Sequence, residues 1–527
     1  MRFTDLSNKD KEYLKERYYN REEKNWEEVA DELAKEFKVT PRTIRAWVNE
    51  RLNIKEKDES YPEQYLKAKE LKTEKEKTVF FITWGQNNTP IHKNFFKNIL
   101  ALKEKYNASL HVIAGRYRNP TTPYENYKTE DEFWDKALVP YLDAGRHKIH
   151  DHMTIMSDVK IRPTAVYPLS GMRGLSKEYS CIFGHPKVHL ELLPTLKDKH
   201  PKGIMATGSV TLPNYSDSKA GKKAEFDHRL GFVIVEAYED IVLFRQITAD
   251  KNGDFCDYFF EVKRGEVKKL DYIEGIVFGD KHFGVEDKLI EAESLKYAKK
   301  LKAKHAVLHD VFDGYSISHH DLKDPFKQYS KEIHNKNNLK EEIEYMLSKL
   351  KPYTFFENTV IVRSNHDDFL DRWLKNEDWK KQSTYKNSSL YMRYSFFLLE
   401  EYANNPENPR GIIPLILEST YPEFKTLTRD DTYTVKGYEL SMHGDLGQNG
   451  ARGSIKGFKD LNFKSITAHG HSAGRLDNAV RVGTNTLLRL GYNKGASDWS
   501  HANGIIHKNG QVLLQIFTEG VFTRINC

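Results

Sequence analysis

The chain has 527 residues, a formal net charge of +6, 39% hydrophobic and 12% aromatic residues. That length exceeds what one hydrophobic core supports, so about two to four domains are expected, and the apolar content excludes a disordered chain. The small positive excess permits a polyanionic partner without requiring one. Cys181, Cys256 and Cys527 lie far apart with no CxxC pair, which argues against a disulfide framework or a zinc-thiolate site and for a reducing cytoplasm. The charged N-terminus has no apolar leader, and no uncharged run approaches about 18 residues, so neither secretion nor a membrane span is expected.

Residues 1–54 read as a small helical unit. Val29, Ala30, Leu33 and Phe37 recur at helical spacing, as do Ile44, Trp47 and Val48. Between them Thr40 can cap a helix and Pro41 suits its first position. The pattern resembles a helix-turn-helix with Pro41–Arg51 as recognition helix, which would turn Arg42, Thr43, Arg45 and Asn49 to a DNA major groove. Against this, residues 1–77 hold equal numbers of basic and acidic side chains, so the segment has no net positive field, and three-helix units also dock proteins. Residues 55–77, rich in Lys and Glu, read as a solvated linker.

Residues 78–268 read as an α/β middle domain: a strand at Thr78–Trp84, a helix at Asn94–Tyr106, a strand at Ser109–Ala114, and later strand-like runs at Gly231–Val235, Ile241–Gln246 and Tyr258–Val262. The loop Gly85–Thr89 lacks the glycines of a phosphate-binding fingerprint and reads as a plain turn. Arg116, Arg118, Arg146, Lys148, Arg162, Arg173, Lys177, Lys222, Lys223 and Arg229 could line a nucleic-acid groove or simply solvate a surface. His147, His150 and His152 are expected to be surface histidines.

Beyond residue 269 the chain spells Asp280-x-His282, then Asp310-x-x-Asp313, Asn365-His366-Asp367, a lone His443, and His469-x-His471. Each motif follows a short apolar run, Tyr272–Phe278, Ala306–Leu308, Thr359–Val362, Tyr438–Met442 and Ser465–Ala468. Such runs read as buried strands, which places the polar residues on loops at strand ends. Carboxylate, amide and imidazole groups in this mixture suit a pair of divalent metals. Asp313 and Asp367 could equally be turn or cap residues, and Asp368 and Asp445 read as solvated neighbours. The aromatics Trp373, Trp379, Tyr391, Tyr394 and Phe397 are expected to pack a helical insertion near 369–437, and runs at Val480–Val482, Leu487–Leu490, Gly504–His507 and Val512–Ile516 to complete a second sheet.

In this order the motifs resemble the calcineurin-like metallophosphoesterase superfamily, whose pattern is Asp-x-His, Gly-Asp-x-x-Asp, Gly-Asn-His-Asp, a lone His and Gly-His-x-His. His309, Ser364 and Ala468 stand where that pattern has glycine. The resemblance covers about residues 270–510. It implies a four-layer α/β/β/α sandwich over 269–527, preceded by the helical unit and the middle domain. It implies two divalent ions, with Mn²⁺ suited to the mixed ligands. Asp280, His282, Asp310 and His471 would hold one ion and Asp310, Asn365, His443 and His469 the other, with Asp310 bridging. His366 would be the catalytic acid, oriented by Asp313. The motifs are closest to SbcD-type repair nucleases, and the layout resembles early host-DNA-degrading nucleases of T-five-like phages. The expected function is therefore a two-metal DNA nuclease, in which a bridging water is activated to attack a phosphodiester, acting on double-stranded DNA in the host cytoplasm and compatible with a homo-oligomer. A metallophosphatase or nucleotide phosphodiesterase, and a DNA-binding regulator with a degenerate phosphoesterase fold, remain the alternatives.

Overall fold

The computed structural model describes residues 3–19, 26–47, 78–197, 199–381 and 385–525. It shows a mixed α/β protein with several sheets. The linker expected at 55–77, together with Asn49 and Cys527, lies outside the described residues.

At the N-terminus helices Asn8–Tyr19, Trp26–Glu36 and Pro41–Ala46 pack around Leu14, Val29, Ala30, Leu33, Ile44 and Trp47. Thr40 caps the third helix, its Oγ1 accepting Thr43 N at 3.2 Å, and Pro41 opens it. Cap and proline therefore set the start of this helix as the sequence suggests.

The rest of the described chain repeats one topology twice. A five-stranded sheet runs in the order 242–248, 231–237, 78–86, 108–115, 142–143. A six-stranded sheet runs 512–516, 502–506, 275–277, 305–309, 358–362, 425–427, the same order with one strand added. In both, the first three strands met along the chain are parallel and the last two antiparallel. In both, a helix links the first two strands, Lys93–Tyr106 capped by His92 and Lys288–Lys300 capped by Asp287. Strands 255–257, 260–263 and 266–269 form a separate three-stranded sheet, and the other strands make a ten-stranded sheet. From one edge inward come 146–150, 153–156, 180–183, 202–207 and 188–193, and from the other 434–435, 438–439, 464–467, 479–481 and 474–476. The halves meet as antiparallel strands, Gly474 against Glu191, Arg475 against Leu190 and Leu476 against His189. This register is symmetric about the Leu190–Arg475 pair, the pattern of an approximate two-fold axis.

Strand alternation explains how the layers stack. Val277, Val307, Val360 and Val362 share a core with Ile466 and Val480 of the ten-stranded sheet and with Leu440 and Val482 just past its strands. Their neighbours Ile276, Ala306, Leu308 and Ile361 pack instead with helical residues including Tyr297, Met346, Ile413 and Leu417. Both faces of these strands are covered, which is why they read as continuous apolar runs. On the far face of the ten-stranded sheet, Cys181, Phe183, Ile204 and Ala206 form a third cluster with Leu169 and Leu193.

Several expectations are corrected. The ten-stranded sheet takes strands from either side of residue 268, so the division drawn there does not separate two sheets. The strands 502–506 and 512–516 join the sheet of 275–277, not the second sheet, because they run antiparallel beside it. Residues 487–490 form no strand. The insertion contributes helices Asp368–Asn376, Ser388–Asn404 and Ile412–Thr420, after which the chain returns to both sheets at 425–439. Trp373 and Tyr391 are buried there, their rings 5.8 Å apart, whereas Phe397 is exposed. His147 is buried and bonded to Asp143 at 2.7 Å, and His150 and His152 are half-buried, so these are not surface histidines.

Two buried features of the first copy give tests. Arg245, 1% exposed, reaches Asp257 Oδ2 at 2.7 Å and Glu236 Oε1 at 2.5 Å. Arg245→Met strands both carboxylates, and urea denaturation is expected to show a loss of about 3–5 kcal/mol. His228 accepts from the Tyr215 hydroxyl at 2.8 Å and donates from Nε2 to Thr211 O at 3.0 Å, and burial holds its pKa down at about 4. The unfolded chain takes up this proton at the ordinary value of about 6.5. This contribution is full above that pH and is lost as pH falls towards 4. Melting temperature is expected to drop across that window, and less steeply in His228→Gln.

Candidate metal centre

The cluster is built at the ends of five strands. Gly275–Val277 leads to Asp280 and His282, His305–His309 to Asp310, and Asn358–Val362 to Asn365 and His366. Tyr438–Glu439 leads to His443, and Lys464–Thr467 to His469 and His471. Four of these residues hold left-handed backbone, with φ of 39° at His282, 48° at Asp310, 65° at His469 and 52° at His471. A non-glycine residue pays about 1–3 kcal/mol for such a conformation, and here it falls on residues that point chemistry into one place. His309, Ser364 and Ala468, which replace the glycines of the resembled pattern, have no positive φ, so their side chains are accommodated without strain.

The convergence is close. His282 Nε2 lies 3.3 Å and His443 Nε2 3.1 Å from Asp310 Oδ2. His471 Nε2 lies 3.2 Å from Asp280 Oδ2 and 3.2 Å from His282 Nε2. Three overlapping groups could each hold a metal ion: Asp280, Asp310 and His471; Asp310, His443 and His469; and His282, Asp310 and His366. Asp310 belongs to all three. Asp280, His282, Asp310, His443 and His471 are buried. Yet Asp310 Oδ1, Asn365 Oδ1 and His471 Nδ1 have no hydrogen-bond partner among the described residues, and Asp280 Oδ2, Asp310 Oδ2 and His443 Nε2 have only the ion-pair contacts above. Buried polar atoms are ordinarily paired. A cation would satisfy this set, and hard oxygens with imidazole nitrogens are the donors that a divalent ion of the Mn²⁺ or Zn²⁺ type accepts.

Electrostatics tell the same story. Burial, with the charge of Asp310, pushes the Asp280 carboxyl up to about 7. Burial also opposes ionisation of Asp310, but His443, His366 and His282 outweigh it and hold that carboxyl well below its ordinary range. Against the cost of burial, the two carboxylates raise His443 to about 9. Burial lowers His469 to about 4.

His366 sits beside the cluster, its ring 4.4 Å from that of His282 and stacked at 4.3 Å on Phe369. Its Nδ1 lies 2.7 Å from the backbone carbonyl of Asp313, so Nδ1–H donates there and Nε2 is left for the site. The Asp313 carboxylate instead approaches His282 Nδ1 at 3.2 Å. The expected orienting role thus belongs to the carbonyl of Asp313, while its side chain addresses His282. Asp367 serves a turn, accepting Ser364 N at 2.9 Å while its own N donates to Ser364 Oγ at 3.2 Å. Asp368 and Asp445 are not solvated neighbours: Arg429 clamps both, at 3.0 and 2.8 Å. Arg429 ties the His366 loop to the His443 loop, and nothing in its sequence surroundings marks it.

Elsewhere Arg42 is exposed, Arg45 half-buried, and Thr43 Oγ1 is engaged with Thr40 Oγ1 at 2.8 Å. In the first copy Arg116, Arg146, Arg173 and Arg229 pair with Glu132, Asp158, Glu191 and Asp477. These ion pairs compensate the charge that a nucleic-acid groove would need. Among its described residues the first copy holds no such cluster. Val210 N donates to Trp84 O as Asn485 N donates to Asp280 O, at 2.8 and 2.9 Å, each beside a matching hydroxyl pair, Ser209 with Thr211 and Thr484 with Thr486. Trp84 therefore occupies the place of Asp280.

Fold and site define a mixed α/β protein with a repeated topology, one copy of which gathers a buried cluster able to hold metal ions. No protein-family model matches the sequence. The chain is 31% identical over 467 residues to Protein A1 of Escherichia phage T5, a span of 84% of this chain and 82% of that protein. It belongs to the family of that phage protein. Among the described residues no helix is long and apolar enough to cross a membrane.

Because ligands must be deprotonated to bind, adding Mn²⁺ to chelator-treated protein is expected to raise the melting temperature more at pH 8 than at pH 5.5. Asp310→Asn, which removes the residue common to all three groups, is expected to abolish the rise at both.

Proposed function

We propose that this protein is a two-metal-dependent DNA nuclease of the metallophosphoesterase type. The observation that carries the reading is Asp310: a buried carboxylate with neither oxygen hydrogen-bonded and only imidazoles against it, common to three groups of metal-ligating side chains. Two sheets face to face, with helices on the outer side of the sheet that bears Asp310, support the metallophosphoesterase sandwich over the second copy. On this reading Asp280, His282, Asp310 and His471 hold one ion and Asp310, Asn365, His443 and His469 the other. Two divalent ions, when bound, supply Lewis-acid activation of water and stabilise the charge that develops on the phosphoryl oxygens.

The chain's own residues do the rest. Asp310 fixes the spacing of the two half-sites. His366, with Nδ1–H held by Asp313 O, presents Nε2 towards the substrate side, where in its protonated form it gives a proton to the departing sugar oxygen. Stacking on Phe369 keeps the ring from turning. The DNA substrate, the choice of Mn²⁺ and action in the host cytoplasm rest on kinship with a phage protein and on the motif resemblance. A phosphatase or nucleotide phosphodiesterase is the second reading, since the same ligand set serves both.

Purified protein with Mn²⁺ is expected to degrade plasmid DNA. His366→Ala is expected to slow cutting by about 10²–10⁴-fold while keeping the Mn²⁺-induced rise in melting temperature. Hydrolysis of a small phosphomonoester with plasmid left intact would favour the phosphatase. Binding of a defined DNA sequence with no hydrolysis of either would favour a regulator.

A further inference from the structure

Beyond the last ligand, residues 487–499 form no regular strand, yet they are firmly braced. Arg489 donates to Gly495 O and to Thr195 O, both at 2.7 Å. Asn493 Oδ1 accepts Leu490 N at 2.7 Å, and its Nδ2 donates to Leu488 O at 2.9 Å. Ser497 and Thr195 exchange a backbone pair at 2.9 and 3.0 Å, which fastens the loop to the first copy.

What this bracing holds out is aromatic. The Trp499 ring meets His471 edge-on, with centroids 4.1 Å apart at 67°. Tyr492 packs on Trp499 at 5.7 Å and 66°. Tyr492 remains 65% exposed, so folding alone does not account for a rigid loop built to present it. Trp499 stands between Tyr492 and His471, which puts this aromatic pair beside the candidate metal centre. On the neighbouring strand Arg481 donates from Nε to Ser472 O at 2.7 Å. Its guanidinium lies against Gly470, where a Cβ would come within 2.7 Å of Nη1. A positive charge thus borders the loop that carries His469 and His471.

An exposed aromatic step beside a phosphoester site, flanked by a cation, is what an unpaired base and its phosphate require. Stacking accepts any base, because each has a π-face. A base inside a duplex is already stacked and must be turned out to reach such a ring. We propose that Tyr492 and Trp499 form a stacking subsite for an unpaired nucleobase next to the reacting phosphate, with Arg481 facing the adjoining phosphate. This rests on the phosphodiesterase reading of the metal centre and adds to it a preference for single strands or frayed ends.

The test uses the full chain in EDTA and a single-stranded oligonucleotide containing 2-aminopurine, at one fixed salt concentration. Binding is expected to quench the 2-aminopurine fluorescence, and a blunt duplex of the same sequence is expected to bind more weakly. Tyr492→Ala should weaken single-strand binding about tenfold or more and remove most of the quenching, whereas Tyr492→Phe should keep both. Quenching and affinity unchanged in Tyr492→Ala would overturn the subsite. Because the readout needs no hydrolysis, the two ideas separate. Tyr492-dependent quenching without Mn²⁺-dependent DNA cutting supports the subsite and counts against the nuclease. Cutting without such quenching counts against the subsite alone.

Discussion

Asp280 and Asp310 are buried together, and most of their oxygens find no hydrogen bond. Two neighbouring carboxylates out of water repel each other and lose solvation, a cost that only positive charge at the same spot can offset. The protein itself supplies part of that charge through His282 and His443, both shifted towards the protonated form. Protonated imidazoles and orphaned carboxylate oxygens are the groups that a divalent ion would replace and complete. The left-handed residues at four ligand positions are a second cost accepted at the same place.

The surrounding architecture makes that cost bearable. Parallel strands of Val, Ile and Ala, covered on both faces, end on a single edge and deliver the ligand loops to it. The braces between loops are polar and specific: Arg429 joins Asp368 to Asp445 by ion pairs, and the Asp313 carbonyl fixes His366 by a hydrogen bond. The first copy of the topology has the same scaffold but, among its described residues, no such cluster, with Trp84 where Asp280 stands in the second. It contributes half of the ten-stranded sheet, and its Thr195 anchors the loop that presents Tyr492 and Trp499. One copy therefore serves as support for the other.

The candidate site is legible in the sequence because the side chains able to hold a metal ion are of few types. Asp280, His282, Asp310, His443, His469 and His471 stand out as polar residues directly behind apolar runs. The repeat was not legible, since it survives as strand order and pairing register while its residues have diverged. That divergence made residues 78–268 look like an unrelated domain. Strands 502–506 and 512–516 are recognisable as strands in the sequence, but the sheet they join is not, since pairing partners depend on contacts distant in sequence. Arg429 and Tyr492 escaped notice for a similar reason: their significance lies in what stands opposite them. The Asp313 carbonyl is invisible to any reading based on side chains.

On the proposed reading, Asp310 would join two metal sites into one centre. Electron paramagnetic resonance of the protein titrated with Mn²⁺ addresses it directly, because ions about 3.5–4 Å apart couple their spins. The account predicts an exchange-coupled signal that saturates at two Mn²⁺ per chain and is lost in Asp310→Asn. A single uncoupled Mn²⁺ signal, or coupling that survives Asp310→Asn, would contradict it.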